Sequence, residues 1–386
     1  MQFLLSSGEA SGDTYGAQLI EALKQLSPGA RFFGMGGEKM HAAGCELLVH
    51  AKEVAVVGLV EVVKHLPDIR KKFRLLVDEA AKRKPDAAVL IDFPDFNLRL
   101  ARELHRLGIP VFYFVSPQIW AWRTGRVKQI KKYVRKMIVI FPFEQEFYRR
   151  HGIDVTYVGH PLAHAAASAV SRQEFAAQNG LNADRRWIAL LPGSRKKEVM
   201  LNLPEMVAAA RLLNDDARRE GFEFAVPVAS TLDENWLRQQ LSSTGVEIHL
   251  THDARATLKH SRAAIVASGT ATVEAALAGV PFVVVYRLAP LTWLLGRRLV
   301  NLDTFAMPNL IAGRKIVREL IQKDYTAANV ARELDSVIPD GAARGRMVSD
   351  LEEVRGKLLA GGHTEAPAAR AAREILDLLT KKASNN

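Results

Sequence analysis

Two short loops in the second half of the chain have the residue types that hold a diphosphate. The segments 192–195 (Pro-Gly-Ser-Arg) and 267–274 each follow an apolar run and precede a predicted helix. The first backbone N–H groups of a helix attract phosphate. Ser194 adds a hydroxyl group, and Arg195 adds a forked donor with a permanent positive charge. For either loop taken alone, a plain turn before a helix is the alternative.

A carboxylate lies one turn into the helix after the second loop. Glu274 follows the hydroxyl-rich turn Ser268-Gly269-Thr270. A capping box would need Ser or Thr three residues earlier, and position 271 is alanine. Glu274 is therefore a candidate to accept both hydroxyl groups of a ribose. Because neither loop has a Walker-type glycine–lysine motif, the pair predicts a nucleotide-diphosphate site without phosphoryl transfer.

A second group of polar residues, in the first half of the chain, could supply acid–base chemistry. Asp92 ends an apolar run, and the flanking Phe93 and Pro94 would raise the pKa of its carboxyl group by desolvation. A general base needs such a pKa. The segment 8–13, after the first apolar run, offers glycines and Glu9 but lacks the glycine spacing of a dinucleotide-binding loop. Asp92 and Glu9 are the candidate catalytic residues.

Tryptophan residues stand beside basic stretches at two places. Trp120 and Trp122 precede the basic segment 123–136, and Trp293 lies in the apolar segment 287–300, which has two adjacent arginines. Tryptophans line apolar pockets or lie at lipid interfaces, and core packing is the alternative.

The sequence predicts no metal site. A single cysteine, Cys45, excludes a cysteine-built zinc site. His160 and His164 have the spacing of a helical metal pair, but Pro161 disrupts the helical register and no acidic partner is suitably spaced.

The composition is that of a folded protein with an anionic partner. A length of 386 residues favours two domains, and the net charge of +11 suits a nucleic acid, a phosphorylated substrate or an anionic membrane leaflet. No nucleic-acid recognition motif is present in the sequence, which disfavours the first of these.

The start of the chain predicts a strand rather than a signal peptide. The apolar segment 263–286 contains one charge, Glu274, with interrupting glycines and a proline, and predicts strand–loop–helix–strand rather than a membrane span.

Apolar runs alternate with amphipathic stretches along the chain, as in a parallel sheet covered on both faces. The predicted strands are 3–7, 31–34, 87–91, 111–115, 136–141, 187–191, 222–228, 246–250, 263–267 and 281–286. The pattern predicts an α/β fold of two doubly wound, Rossmann-like domains facing a cleft, with C-terminal helices. We place the domains at 1–165 and 166–345, and expect a helical tail, 346–386, to pack back on the first. In such folds ligands bind at the carboxyl ends of the strands, where the loops above lie.

Together, these loops resemble the lipid-A-disaccharide synthase family of inverting glycosyltransferases, which have GT-B architecture. The matching segments are 7–13, 91–97, 115–123, 159–161, 191–195, 267–274 and 307–313. The resemblance implies transfer from UDP-2,3-diacylglucosamine to 2,3-diacylglucosamine 1-phosphate (lipid X). The products would be a β-1′,6-linked disaccharide and UDP, a step of lipid A biosynthesis that needs no metal or other cofactor.

The resemblance also implies a role for each candidate residue. Asp92 would take the proton from the 6-hydroxyl group of the acceptor, and Arg195 with the Ser268–Thr270 turn would stabilise the departing diphosphate. Glu274 would hold the ribose, and Glu9 and Asn309 would position sugar or phosphate. The acyl chains would lie near three aromatic residues: Trp120, Trp122 and Trp293. Position 164 is histidine here, whereas the family often has aspartate.

Lipid substrates imply a cytoplasmic enzyme bound peripherally to the inner face of the bacterial inner membrane, with a homodimer left open. Two alternatives remain at this stage. A sugar-nucleotide epimerase of the same architecture would need the UDP site but no acceptor. A non-enzymatic nucleic-acid binder would account for the basic runs.

Overall fold

The computed structural model describes residues 1–54, 59–122, 124–165, 168–215, 221–242, 244–288, 304–359 and 364–383. The chain divides into two compact units. Unit 1 comprises residues 1–164 and 358–386, and unit 2 comprises residues 165–357. The described part of each unit is built on one parallel sheet flanked by helices. The predicted α/β class is therefore correct.

The sheet of unit 1 has seven strands. They are β1 (Gln2–Ser7), β2 (Arg31–Gly36), β3 (Cys45–His50), β4 (Ala87–Ile91), β5 (Val111–Phe114), β6 (Lys136–Val139) and β7 (Val155–Tyr157). Their spatial order is β3-β2-β1-β4-β5-β6-β7. The order reverses between β1 and β4, so the carboxyl ends of these two strands form the topological switch point of the sheet, where ligands bind in such folds.

The helices of unit 1 connect these strands and end the chain. They are α1 (Ala10–Leu26), α2 (Glu38–Ala42), α3 (Leu59–Arg83), α4 (Pro94–Arg106), α5 (Ile119–Trp122), α6 (Val127–Tyr133), α7 (Pro142–Arg150), α8 (Pro161–His164) and, far along the chain, α17 (Pro367–Ala383). Side chains of β1 alternate between two apolar clusters: Leu4 packs in one, and Phe3 and Leu5 pack in the other. The sheet is therefore covered on both faces.

The sheet of unit 2 has six strands. They are β8 (Trp187–Leu191), β9 (Glu223–Pro227), β10 (Ile248–Thr251), β11 (Ala263–Ala267), β12 (Phe282–Tyr286) and β13 (Glu319–Ile321). The spatial order is β10-β9-β8-β11-β12-β13, which reverses between β8 and β11. The helices are α9 (Arg172–Asn179), α10 (Lys196–Asn214), α11 (Glu234–Leu241), α12 (Ala254–His260), α13 (Ala271–Ala278), α14 (Met307–Ala312), α15 (Ala327–Val337) and α16 (Ala342–Leu358).

The two C-terminal helices are divided between the units. Residues of α16 up to Lys357 belong to unit 2, whereas α17 belongs to unit 1. In α17, Ala371 and Ile375 are buried in the same apolar cluster as Leu23 of α1. The guanidinium group of Arg135 donates a hydrogen bond to the carbonyl oxygen of Leu378, at 2.8 Å. Within the described part of the predicted tail, α17 therefore packs in unit 1, whereas α16 lies in unit 2 except for its last residue, Leu358.

None of the described helices is both long and apolar enough to cross a bilayer. The segment 263–286 forms β11, a turn, α13 and β12, as its pattern predicts. Both strands are buried inside the sheet of unit 2.

Candidate active site

The loops after β1 and β4 meet because these strands are neighbours, with Ser7 paired to Ile91. Phe93 follows β4, and its ring lies against the loop after β1. A Cβ atom placed on Gly8 would be 2.4 Å from that ring, so a larger residue at position 8 would push the two loops apart. This contact sets Glu9 and Asp92 at the switch point of the first sheet.

The carboxyl group of Asp92 has the properties of a base that works near neutral pH. Burial, together with a smaller effect of the negative charge of Glu9, raises the pKa of Asp92 from 3.8 to about 7. A carboxylic acid with a pKa near the working pH combines basic strength with a substantial deprotonated fraction. Glu9 itself is exposed and occupies the position before α1. The structure thus brings the two predicted catalytic residues into electrostatic contact.

Asp13, in the same loop segment as Glu9, has a structural role. Its buried carboxylate accepts hydrogen bonds from the backbone N–H groups of Gly37 at 2.7 Å, Met40 at 3.0 Å and Lys39 at 3.1 Å. These groups belong to the first turn of α2, which has no earlier carbonyl partners for them. Asp13, a residue of α1, therefore ties α1 to the start of α2.

The Pro-Gly-Ser-Arg loop of unit 2 follows β8 and precedes α10. Arg195, rather than Ser194, stands at the cap position of α10, and its side chain makes no capping hydrogen bond. The backbone of Ser194 is held on both sides: its N–H donates to Glu198 at 3.2 Å, and its carbonyl accepts from Thr231 at 2.5 Å. The side chain of Arg195 is 64% exposed, 3.6 Å from Glu198. It is therefore accessible to a ligand.

The second loop of unit 2 follows β11, the neighbour of β8. Ser268 donates its N–H to the carbonyl oxygen of Val285 at 2.9 Å, and Gly269 has a φ of +146°, which favours glycine. The buried hydroxyl group of Thr272 donates to the carbonyl oxygen of Gly269 at 2.7 Å and fixes the turn. Thr270 is exposed at the start of α13. Thr272 was not among the predicted site residues, although its position at the start of a predicted helix could have indicated this role.

Both loops of unit 2 leave the same edge of the sheet, because Leu191 of β8 pairs with Val266 of β11. Asn202, a buried residue of α10 that sequence reasoning missed, ties the loop after β8 to the residue that follows β12. Its amide donates to the carbonyl oxygen of Pro192 at 3.2 Å and accepts from the N–H of Arg287 at 3.1 Å. The predicted phosphate-binding groups therefore lie at the switch point of the second sheet.

Glu274 lies in the first turn of α13, behind the Ser268–Thr270 turn, and is partly buried. Burial raises the pKa of its carboxyl group, and the positive charge of Arg255 lowers it. The helix thus fixes a carboxylate beside the predicted phosphate-binding turn. A contact with ribose stays a prediction.

Asn309 is buried in α14, and its amide is engaged on both sides. The Nδ2 atom donates to Glu319 at 2.7 Å and to the carbonyl oxygen of Val317 at 3.0 Å. The Oδ1 atom accepts from the N–H groups of Ile316 at 2.8 Å and Val317 at 2.9 Å. A contact between Asn309 and a sugar or phosphate would require one of these bonds to break. A role for Asn309 in substrate binding therefore stays a prediction, whereas its hydrogen bonds to Glu319, Ile316 and Val317 are structural.

Of the three predicted aromatic contacts, the structure describes the side chain of Trp120 alone. Its Nε1 atom donates to the buried carboxyl group of Glu144 at 3.2 Å, and its ring meets Phe143 edge to face at 4.8 Å. Burial raises the pKa of Glu144 to about 8. The side chain of Trp122 and all of Trp293 lie outside the described residues. Acyl-chain binding by these residues stays a prediction.

The Gly-His-Pro segment before α8 is structural. His160 is buried, and its Nδ1 atom accepts from the N–H of Leu162 at 3.2 Å. Burial lowers the pKa of His160 to about 3, so the ring is neutral. Within the described part of the chain, no group of three or more His, Cys, Asp or Glu side chains could hold a metal ion.

The architecture defines the class of protein. The chain is similar to the glycosyltransferase of kitacinnamycin, with a TM-score of 0.65, 16% identity and coverage of 97% of this chain and 98% of that one. For the calicheamicin glycosyltransferase CalG4 the TM-score is 0.59, with 17% identity and 98% coverage of both chains. A UDP-GlcNAc 2-epimerase from Neisseria meningitidis, bound to UDP-GlcNAc, scores 0.61 at 13% identity, with 99% and 100% coverage. The chain thus has the GT-B fold of nucleotide-sugar enzymes.

Sequence relatives narrow this class to one family. Residues 3–362 match the family model described as lipid-A-disaccharide synthetase. The chain is 53% identical to the lipid-A-disaccharide synthase of Koribacter versatilis over 385 residues, which cover 99% of this chain and 100% of that protein. Identity to the Myxococcus xanthus enzyme of the same name is 45% over 379 residues, with 98% and 97% coverage. The chain therefore belongs to the lipid-A-disaccharide synthase family.

Family membership settles the choice among the alternatives. The chain is a glycosyltransferase of lipid A biosynthesis that forms the lipid A disaccharide, as the resemblance implied. The sugar-nucleotide epimerase and the non-enzymatic nucleic-acid binder are therefore set aside.

Proposed function

We propose that Asp92 and the two loops of unit 2 perform the glycosyl transfer from UDP-2,3-diacylglucosamine to lipid X. The observation that supports this most directly is the partly buried carboxyl group of Asp92 beside Glu9 at the end of β4. In its charged form Asp92 accepts the proton of the 6-hydroxyl group of lipid X. The oxygen then attacks the anomeric carbon opposite UDP, the bond from that carbon to the diphosphate breaks, and the configuration inverts.

Unit 2 stabilises the leaving group in this proposal. Negative charge grows on the diphosphate as its bond to the sugar breaks, so fixed donors there lower the barrier. The donors are the exposed guanidinium group of Arg195, the N–H groups at the start of α10 and the turn from Ser268 to Thr270. Glu274 accepts the ribose hydroxyl groups, and Glu9 keeps Asp92 basic through its negative charge.

The test is an assay of UDP release with both lipid substrates and no added metal. We expect the rate to rise with pH along a limb whose apparent pKa is near that of Asp92, about 7, because only the charged carboxylate accepts a proton. Below that pH the carboxyl group is protonated and the rate falls tenfold per pH unit. A limb at the ordinary pKa of an aspartate would contradict the assignment. Isomerisation of the UDP-sugar without acceptor would contradict the transfer itself.

We also propose that the enzyme acts in the cytoplasm, attached peripherally to the inner face of the inner membrane, where its lipid substrates lie. Support comes from three exposed lysines on α6, namely Lys128, Lys131 and Lys132. Each basic residue near an anionic leaflet contributes about 1 kcal/mol to binding.

Replacing these three lysines by alanine should reduce co-sedimentation with vesicles of anionic phospholipid about 100-fold at low salt. UDP release from detergent-dispersed lipids should stay unchanged, because α6 carries none of the proposed site residues. The matched control removes three exposed basic side chains of unit 2 and should bind vesicles as the parent does: Lys315, Arg318 and Lys323. Equal vesicle binding by the α6 variant and the parent would contradict this surface.

A further inference from the structure

The chain turns at the end of β4 through two consecutive residues in the left-handed region. Asp92 has a φ of +45° and Phe93 has a φ of +50°. For residues other than glycine this conformation costs about 1–2 kcal/mol each. Such residues persist where the surrounding structure holds them, and they cluster at functional sites. The groups that hold this turn therefore decide where the carboxyl group of Asp92 lies.

One of these groups is the amide of Asn97, which is fully buried in the first turns of α4. Its Nδ2 atom donates to the carbonyl oxygen of Asp92 at 2.8 Å, and lies 3.1 Å from that of Ser6 and 3.2 Å from that of Ile91. Its Oδ1 atom accepts from the hydroxyl group of Ser6 at 2.7 Å. A single side chain thus joins the ends of β1 and β4 to the strained turn.

The second group is the phenol of Tyr113, which is fully buried on β5. Its hydroxyl group donates to the same carbonyl oxygen of Asp92 at 2.6 Å. On the other side of the residue, the N–H of Asp92 donates to the carbonyl oxygen of Val115 at 3.2 Å. The peptide groups before and after Asp92 are therefore both fixed, and with them the direction of its side chain.

We propose that Asn97 and Tyr113 are positioning residues, which hold the peptide after Asp92 so that its carboxyl group is set beside Glu9 before the acceptor binds. This inference rests on the proposed role of Asp92 as the base. Proton transfer requires the base within hydrogen-bonding reach of the reacting hydroxyl group, and a displacement of 1 Å costs about 100-fold in rate. Two donors on one carbonyl oxygen restrict such a displacement.

Tyr113→Phe removes one of these donors and keeps the ring in the core. We expect kcat to fall about tenfold, because the carboxyl group is held less firmly in its reactive position. The KM for the UDP-sugar and the Kd for UDP should not change, because Tyr113 lies in unit 1. The acid limb of the pH–rate profile should move about one pH unit toward acid, since a displaced carboxyl group is better solvated.

The matched control is Tyr325→Phe in unit 2. Tyr325 is equally buried, and its hydroxyl group also donates to a backbone carbonyl oxygen at 2.6 Å, that of Asn202. Both variants should lose similar Tm, but only Tyr113→Phe should move the acid limb, because Tyr325 has no contact with Asp92. A purely structural role for Tyr113 would give the same kinetics in both variants, and this result would overturn the inference.

Asn97→Asp provides a second test at nearly constant side-chain volume. It replaces the amide donor by a carboxyl group that faces carbonyl oxygens, and we expect kcat to fall about 100-fold. If this variant does not fold, Tyr113→Phe decides alone. If Tyr113→Phe has wild-type kinetics while Asp92→Asn is inactive, the positioning role is overturned. The assignment of Asp92 as the base would then still hold. An active Asp92→Asn enzyme would instead overturn the proposed base.

Discussion

Replacing Asp92 by asparagine should lower kcat about 1,000-fold or more, within the range that a general base contributes. The amide has nearly the size of the carboxyl group but cannot accept the proton of the attacking hydroxyl group. The KM for the UDP-sugar and the Kd for UDP should remain within about twofold, because the proposed nucleotide contacts belong to unit 2. Single-turnover release of UDP and equilibrium binding of UDP measure the two quantities separately.

The same substitution should stabilise the folded chain at and above neutral pH. Because the folded state raises the pKa of Asp92 from 3.8 to about 7, it disfavours the charged carboxylate, and stability is lost progressively as the pH rises from the ordinary pKa of aspartate to about 7. The asparagine variant has no carboxyl group at this position and therefore does not lose this stability. Its Tm should exceed that of the parent above pH 7 and match it below the ordinary pKa of aspartate.

A matched control for Asp92 stands three residues further along the chain. Asp95 is exposed and forms an ion pair with Arg126. Asp95→Asn should keep the parental rate and the acid limb near pH 7. Turnover close to the parental value in Asp92→Asn, or a lower Tm at every pH, would contradict the assignment of the base.

Replacing Arg195 by alanine should weaken UDP binding about 10- to 100-fold, the expected loss of one or two charge-assisted hydrogen bonds. The guanidinium group is exposed and only loosely paired with Glu198, at 3.6 Å, so little internal structure depends on it. The inhibition constant of UDP, measured at fixed ionic strength, tests this expectation.

Two further variants distinguish the loss of a positive charge from the loss of the hydrogen bonds that Arg195 would donate to UDP. Arg238→Ala removes the same charge from an exposed pair with Glu234 in unit 2 and should leave inhibition by UDP unchanged. Arg195→Lys keeps the charge but removes the forked donor, and should recover part of the affinity. If Arg195→Ala is inhibited by UDP as strongly as the parent, the residue does not bind the diphosphate.

Much of the architecture could be predicted because the central strands are long apolar runs. The strands that we missed, β3, β7 and β13, have mixed burial or only three residues, so their side chains give no clear periodicity. The division of the C-terminal helices could not be predicted either. The last helix has the more strongly amphipathic pattern of the two, but a local pattern does not indicate which sheet its apolar face meets.

Less of the candidate site than of the fold could be predicted from the sequence. The flanking residues of Asp92 predicted a raised pKa, and the structure gives that direction. The effect of Glu9 on Asp92 could not be predicted, because it depends on the pairing of β1 with β4, two strands that are not consecutive. The hydrogen bonds of Asn309 and the roles of Asn97, Tyr113 and Thr272 likewise depend on contacts across neighbouring elements.

The place of α17 has a consequence for the order in which the protein folds. Ala371 and Ile375 belong to the apolar cluster that includes Phe3 and Leu23, although the whole of unit 2 lies between these segments in the chain. Domains usually fold in the order in which they emerge from the ribosome. Unit 1 can bury the apolar face of α17 only after unit 2 has been synthesised, so we expect unit 1 to complete its core after unit 2 has emerged.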